Sequence, residues 1–436
     1  MARKLLTEND YTGAAGLASD MYGIPPQNRW YSVTGNLLLD FGPQTEEVSN
    51  YERWLDTLEG TTGISYDIME SHTPNFPLGV IAARFTASKH GSLNIGVSLE
   101  RDRGIITSTV DLFLDVETSF QWKSESDWKA GLVNKLDQAV KRGFESLKVE
   151  ATSDHQSLME RVALDLGSNK GTLSQPTDKR GSKFTVNINT EMNYWLAETT
   201  DLTETLRPLW DLMYRSRDKG SEVATKMYSY PGYVSHHNLD LWGDSAPHDS
   251  GTAYSIWPSS NLKAFLREKA WPLFKDIAAF FDCCLFEFDG KWTSGPSTSP
   301  ENVFIIPKDG SKAGSKESFD ISITMDNSLL HEFFSNVIEA AGILGVDLST
   351  DKVLSKVKTY RDGLRPTEIG ARGQIPEWRQ DYTEAEPGHR HYSRLVDLFP
   401  AKAISPLLNK TLANAAQKTI EPRLHAGGAS TGWSNP

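Results

Sequence analysis

Cysteine is nearly absent from this chain. Its 436 residues contain two, and these are adjacent, Cys283 and Cys284. One adjacent pair excludes a disulfide framework and leaves the redox compartment open. Within the apolar run AAFFDCCLFEF the two read as small buried hydrophobes. Long apolar runs are missing too: none approaches the ~20 residues that span a bilayer. The N-terminus, MARKLLTENDYTGAAG, has basic residues but no apolar core of about 7–15 residues, so it does not read as a secretory leader. Positive charge is in deficit, with 45 Lys and Arg against 57 Asp and Glu and a net charge of −12. That balance disfavours a nucleic-acid partner, because such binding rests on cations that neutralise phosphates. No GxGxxG follows a strand, and there is no Walker loop, HExxH run or GxSxG elbow. No nucleotide cofactor, zinc-protease site or serine-hydrolase site is therefore indicated, and the expected cofactor set is empty.

What is present reads as a globular multidomain β plus α chain. Over residues 28–122, short runs rich in Val, Ile, Thr, Phe and Tyr, such as GVIAARFTAS and GIITSTVDLFLDV, are separated by turns such as SKHGS. They predict an antiparallel β-sandwich. Around Ser124 the period becomes helical, in SESDWKAGLVNKLDQAVKRGFESLKV and then DHQSLMERVALDLG, with Asp154 as the expected cap of the second helix. The rest reads as all-α, with helices such as NSLLHEFFSNVIEAAGIL. Three long loops rich in Trp, Tyr and His lie between these helices. Loops longer than about 12–15 residues are usually functional when they are not disordered. Ordered loops on paired helices suggest a toroid with the loops gathered at one mouth. The expected division is a partial sandwich over 1–122, a helical linker with the first helices over 123–184, and an (α/α)6 barrel over 185–436 that lacks its C-terminal part.

Trp195, Trp242 and Trp378 beside short polar side chains suit a sugar pocket, since aromatic faces stack on sugar C–H surfaces. The competing reading is ordinary core. Glu377 in GQIPEWRQDY is the best general-acid candidate, because Pro376 and Trp378 can desolvate a carboxyl and raise its pKa. A surface charge or helix cap is the competing reading. The histidines of HHNLDLWG (236–243) and HRH (389–391) suit hydrogen bonding better than metal ligation, and no metal is expected.

FTVNINTEMNYWLAE, YVSHHNLDLWG, GPSTSPEN, SITMD, IGARGQIPEW and HRHYS occur in this order. Their order and wording resemble glycoside hydrolase family 95, the inverting α-L-fucosidases, over most of residues 28–433. The resemblance implies a β-sandwich followed by an (α/α)6 barrel, here incomplete. It implies Glu377 as general acid, with Asn187 and Asn189 holding the attacking water. An amide can orient water but has no useful basicity near neutral pH, so a carboxylate base is also required. In the family that base is an aspartate in an Asp-Gly-Asn loop, which follows the segment matching HAGGASTGWSNP. The chain stops at Pro436, before that loop, and joins PTDKR to SKFT without a helix that the family normally inserts there. The resulting expectation is that hydrolysis by this chain is disabled. By motif, Trp195, His237, Asp240, Glu301, Arg390 and His391 are the expected subsite groups.

The implied substrate is a glycan with terminal α-L-fucose, typically α-1,2-linked, or the similar L-galactoside. The implied location is extracellular, for which Asn409-Lys-Thr is a possible glycosylation site. Neither nucleic acid nor a membrane is an expected partner. The alternatives left open are a non-catalytic carbohydrate-binding or structural remnant, and an interaction module that uses an open helical face.

Overall fold

A computed structural model describes residues 1–19, 38–40, 49–57, 59–66, 69–74, 80–87, 93–98, 104–107, 109–115, 124–159, 161, 184–186, 188–247 and 271–426. The chain divides into two units. One comprises Ser32–Pro176 with Thr200–Leu202, and the other Met1–Tyr31, Thr177–Thr199 and Thr203–Pro436.

In the first unit, β2 (Glu52–Asp56), β3 (Thr61–Tyr66), β4 (Met69–Pro74), β5 (Ile81–Ala87) and β8 (Thr109–Leu114) form an antiparallel sheet in the order β2-β3-β4-β5-β8. A second sheet has the order β1-β6-β7, from Leu38–Asp40, Leu93–Ser98 and Gly104–Thr107. Side chains alternate across a strand, and β5 shows the result on both faces. Ala83 and Phe85 pack with Ile95, Leu39 and Val97 of the second sheet. Val80, just before β5, and Ala82 pack on Phe144, Leu147 and Ala151 of helix α3 (Glu125–Met159). Arg84 shares that helix-facing side, with its guanidinium 4.3 Å from the Phe144 ring centre and paired with Asp111 and Glu145.

Helix α3 departs from the sequence reading. The backbone runs helically through Asp154, which caps nothing, and the break falls at Gly143 with φ 74° and ψ 163°. That backbone region admits glycine readily and other residues poorly. In KRGFES the glycine, not the aspartate, was the punctuation.

The second unit is built on apolar helices. Trp271–Cys284 and Thr324–Leu344 bury Phe280, Phe281, Phe333 and Phe334, each at most 1% exposed. Removing each such ring from water is worth roughly 1.5–3 kcal/mol. Cys284 is buried against the same core. The expectation of a purely helical remainder is corrected: short antiparallel ladders join the loops, among them β9 (Phe184–Thr185) with β10 (Asn238–Leu239). Residues 1–19 group with the helical unit. Helices α1 (Ala2–Thr7) and α2 (Tyr11–Ser19) contribute Leu6, Tyr11, Ala14 and Ala18 to its core. Among the described residues no helix is long and apolar enough to cross a membrane.

Candidate active site

Glu377 sits at the meeting point of three loops and is 1% exposed. Its backbone is pinned first. The Glu377 carbonyl accepts from Thr324 N at 3.2 Å, and the Pro376 carbonyl accepts from Thr324 Oγ1 at 2.8 Å, at the start of helix Thr324–Leu344. Ile375 N donates to Thr419 Oγ1 at 2.9 Å, in helix Lys410–His425. A helix N-terminus leaves backbone donors without intrahelical partners, and here the loop supplies an acceptor.

The carboxylate is then surrounded by donors. Ser299 Oγ donates to Oε1 at 2.7 Å, and Asn302 Nδ2 donates to Oε2 at 3.0 Å. Arg423 Nη2 donates to the same Oε2 at 2.6 Å, with Arg394 Nε 3.5 Å away. Glu384, partly buried, completes a quartet of charges. Its Oε1 accepts from Arg394 Nη2 at 2.7 Å and its Oε2 from Arg423 Nη2 at 2.7 Å. Two guanidiniums thus neutralise two carboxylates.

This arrangement reverses the expected effect on Glu377. Burial pushes its pKa up, but Arg423, Arg394 and the Ser299 hydrogen bond outweigh burial and bring it down to about 2. The flanking Pro376 and Trp378 do not decide the sign. Asp320 behaves oppositely. It is fully buried, and burial outweighs the neighbouring Arg379, whose Nε is 3.0 Å from Oδ1, lifting the pKa to about 7.

The two acids therefore bend the stability curve in opposite senses. Glu377 releases its proton more easily when folded. Its contribution is full above its ordinary 4.5 and is lost as pH falls toward about 2. Asp320 holds its proton more tightly when folded. Its contribution is full below 3.8 and is lost as pH rises through about 7. Buried His236 and His391, held down to about 3, add a rise with pH up to about 6.5, so the Asp320 part is read as a difference between variants. Relative to wild type, Asp320→Asn is expected to gain urea midpoint as pH rises from about 4 to about 7, with the acid-side slope unchanged. A neutral-side slope unchanged in Asp320→Asn would refute the assignment.

The other sequence candidates fall into separate groups. Glu301, Arg390 and His391 come together. Arg390 forms an ion pair with Glu301, and His391 Nε2 lies 3.9 Å from the same carboxylate. His391 Nδ1 donates to the Pro300 carbonyl at 2.9 Å, which fixes the tautomer, and burial drives its pKa down to about 3. His391 is thus neutral. Ser299 and Asn302, on either side of Glu301 in sequence, both donate to Glu377.

His237 and Asp240 are both buried. Asp240 Oδ1 accepts from Trp242 N and Asp244 N, each at 2.9 Å, so that oxygen holds its own turn. Trp195 packs edge-on against Phe399 with centroids 4.6 Å apart. Trp378, 2% exposed, packs against Phe304 as core, while Trp242 is 37% exposed. Asn187 lies outside the described residues, as does the side chain of Asn189, whose backbone begins helix Ile188–Thr199. The strand leading to Asn187 is described: Val186 N donates to the His237 carbonyl at 2.8 Å.

Ser299, Asn302, Glu384, Arg394 and Arg423 were missed by sequence reasoning. One of them left a signal. Ala415, Thr419 and Arg423 repeat at helical spacing on the buried face of Lys410–His425, and a lone arginine on an apolar stripe calls for a buried anion. Among the described residues no group of three or more His, Cys, Asp or Glu is arranged to hold a metal.

Comparison with known proteins identifies the family. The family model "Glycosyl hydrolase family 95 catalytic domain" matches residues 178–436, and "Glycosyl hydrolase family 65, N-terminal domain" matches 1–163. Alpha-L-fucosidase 2 of Arabidopsis thaliana is 32% identical over 265 residues, which is 57% of this chain and 31% of that protein. Probable alpha-fucosidase A of Aspergillus niger is 24% identical over 392 residues, 73% of this chain and 48% of that protein. Its namesake in Aspergillus oryzae is 24% identical over 263 residues, 57% of this chain and 28% of that protein. The chain spans less than half the length of each of these curated relatives. With a family model matching more than half of its residues, the chain belongs to glycoside hydrolase family 95.

Proposed function

We propose that the chain carries the donor-sugar site of a glycosidase that removes terminal α-L-fucose, typically α-1,2-linked, with inversion. The observation that carries this reading is Glu377: a buried carboxylate held by Ser299 and Asn302 where three loops meet, in a chain whose relatives are named fucosidases. Glu377 protonates the leaving oxygen. Asn187 and Asn189 hold the attacking water, which an amide can orient without deprotonating. Inversion needs a base on the opposite face of the sugar with room for that water.

Glu301, Arg390 and His391 form the polar wall that receives sugar hydroxyls, and their mutual contacts support that role. Trp195, His237 and Asp240 complete the subsite, the Asp240 oxygen that holds its turn acting through the loop. We place the helices of this unit in an (α/α)6 toroid. A closely similar L-galactoside would meet the same groups.

A second reading has one observation in its favour. Arg423 and Arg394 keep the resting Glu377 ionised, which suits sugar binding without turnover.

The test is an NMR time course of the chain with a fucosyl-α-1,2-galactoside. Release of β-fucose as the first product would support the glycosidase reading and overturn the expectation that hydrolysis by this chain is disabled. First release of α-fucose would overturn inversion. No release from a folded chain, with saturation transfer to the fucose protons, would favour the binding reading.

A further inference from the structure

Two arginines tie both halves of the Glu377 hydrogen-bond shell to the first 19 residues. Arg3, in α1, donates from Nε to the Gly295 carbonyl at 2.6 Å and from Nη2 to the Cys284 carbonyl at 2.6 Å. Its guanidinium lies 4.7 Å from the Phe286 ring centre. Gly295 opens the loop whose Ser299 and Asn302 donate to Glu377. Its φ is +136°, and a Cβ there would come within 2.9 Å of Ile321 Cα, so the backbone has little freedom to shift.

The second tie runs the other way. Arg379, two residues beyond Glu377 and 7% exposed, sends Nη2 to the Leu6 carbonyl at 2.8 Å. The same nitrogen reaches Asn9 Oδ1 at 2.9 Å and the Tyr11 hydroxyl at 2.9 Å. Arg379 Nε donates to the Tyr382 hydroxyl at 3.0 Å, and the Tyr11 and Tyr382 hydroxyls are 2.9 Å apart. Tyr11 is fully buried and edge-on to Phe304, which itself packs on Trp378, the residue next to Glu377.

We propose that this N-terminal segment is a positioning element of the catalytic site. Arg3 sets the loop that presents Ser299 and Asn302, and Asn9 and Tyr11 set the Glu377 loop through Arg379. None of these residues touches the reacting atoms. They fix the carboxylate against its donors by bracing the two loops on one small scaffold. The proposal rests on the reading of Glu377 as the acid. Its physical logic is that a misplacement of about 1 Å at a reacting group can cost about 10²-fold in rate.

The test uses the full chain with Arg3→Met, Arg379→Met and the milder Tyr11→Phe, followed by hydrogen–deuterium exchange and mass spectrometry. In Arg3→Met, peptides covering 295–302, and in Arg379→Met, peptides covering 376–384, are expected to exchange about tenfold faster, with helix Thr324–Leu344 unchanged. Tyr11→Phe keeps the ring and is expected to show the Arg379→Met pattern at smaller amplitude. If either methionine variant fails to fold, Tyr11→Phe decides. Equal acceleration of the helix peptides, or no change at 376–384 in Arg379→Met and Tyr11→Phe, would overturn the proposal.

Turnover supplies a separate reading. Where the wild-type chain releases fucose, kcat in the variants is expected to fall about 10–100-fold with KM little changed. A loss carried by KM alone would overturn positioning. A wild-type chain that releases nothing counts against hydrolysis, and the exchange pattern still decides the brace.

Discussion

Arg423→Met is expected to lower the unfolding free energy of the chain by about 3–5 kcal/mol, the range for breaking a buried ion pair from one side. Arg423 is 1% exposed, and its Nη2 bridges Glu377 and Glu384. Its Nη1 also donates to the His389 carbonyl at 3.3 Å. Methionine fills much of the volume, so packing is a minor part of the loss. The larger part is one uncompensated negative charge left among buried groups. Charge counting gives a second expectation: adding Glu384→Gln to Arg423→Met restores neutrality and should recover much of the loss. Urea denaturation of wild type, single and double variants measures both effects. A single-variant loss below about 1 kcal/mol, the level of an exposed pair, would mean that the quartet is not the unit described.

The second large effect is kinetic. Glu377→Gln is expected to reduce hydrolysis of a natural fucoside by about 10²–10⁴-fold, the usual contribution of a positioned proton donor. Glutamine keeps the shape: its one oxygen can accept from Asn302 and Arg423 while its amide nitrogen donates to the Ser299 hydroxyl, but it has no acidic proton to give. Leaving-group chemistry separates this from a structural effect. An aryl fucoside whose phenolate departs unassisted should lose far less, whereas a distorted pocket would slow both substrates alike. The resting ionisation of Glu377 adds a further signature. Because kcat/KM reports the free enzyme, it should decline with rising pH across the accessible range, since the protonated acid becomes scarcer at each step. A kcat/KM that rose toward neutrality on account of Glu377 would contradict the acid role.

These expectations depend on partners that local sequence does not reveal. Helix Thr324–Leu344 was legible because NSLLHEFFSNVIEAAGIL repeats apolar residues at helical spacing, a property of the segment itself. The strand run GVIAARFTAS was legible for the same reason and became β5. The gathering of GPSTSPEN, GQIPEW and HRH was not legible from periodicity; it was expected from the long loops between helices and from their order as family motifs. The sign of the Glu377 shift was misjudged because only its neighbours Pro376 and Trp378 were weighed. The groups that decide it include Arg423, 46 positions away, which folding alone brings to the carboxylate. Arg379 reaches residue 6 across 373 positions, and nothing in MARKLLTEND announces that contact.

Loops normally tolerate added or lost residues because water satisfies their backbone. The segments that surround Glu377 have no such freedom. Ser297, Thr298, Ser299, Asn302, Gln374, His389 and His391 are buried. An extra residue there would have to find internal partners for its own amide and carbonyl. It would also shift every later donor off the carboxylate. Variation in length among proteins built this way should therefore collect at the ends of helices and in exposed turns such as Lys308–Ser315. The segments 295–302, 374–379 and 389–391 should keep a fixed number of residues even where their side chains change.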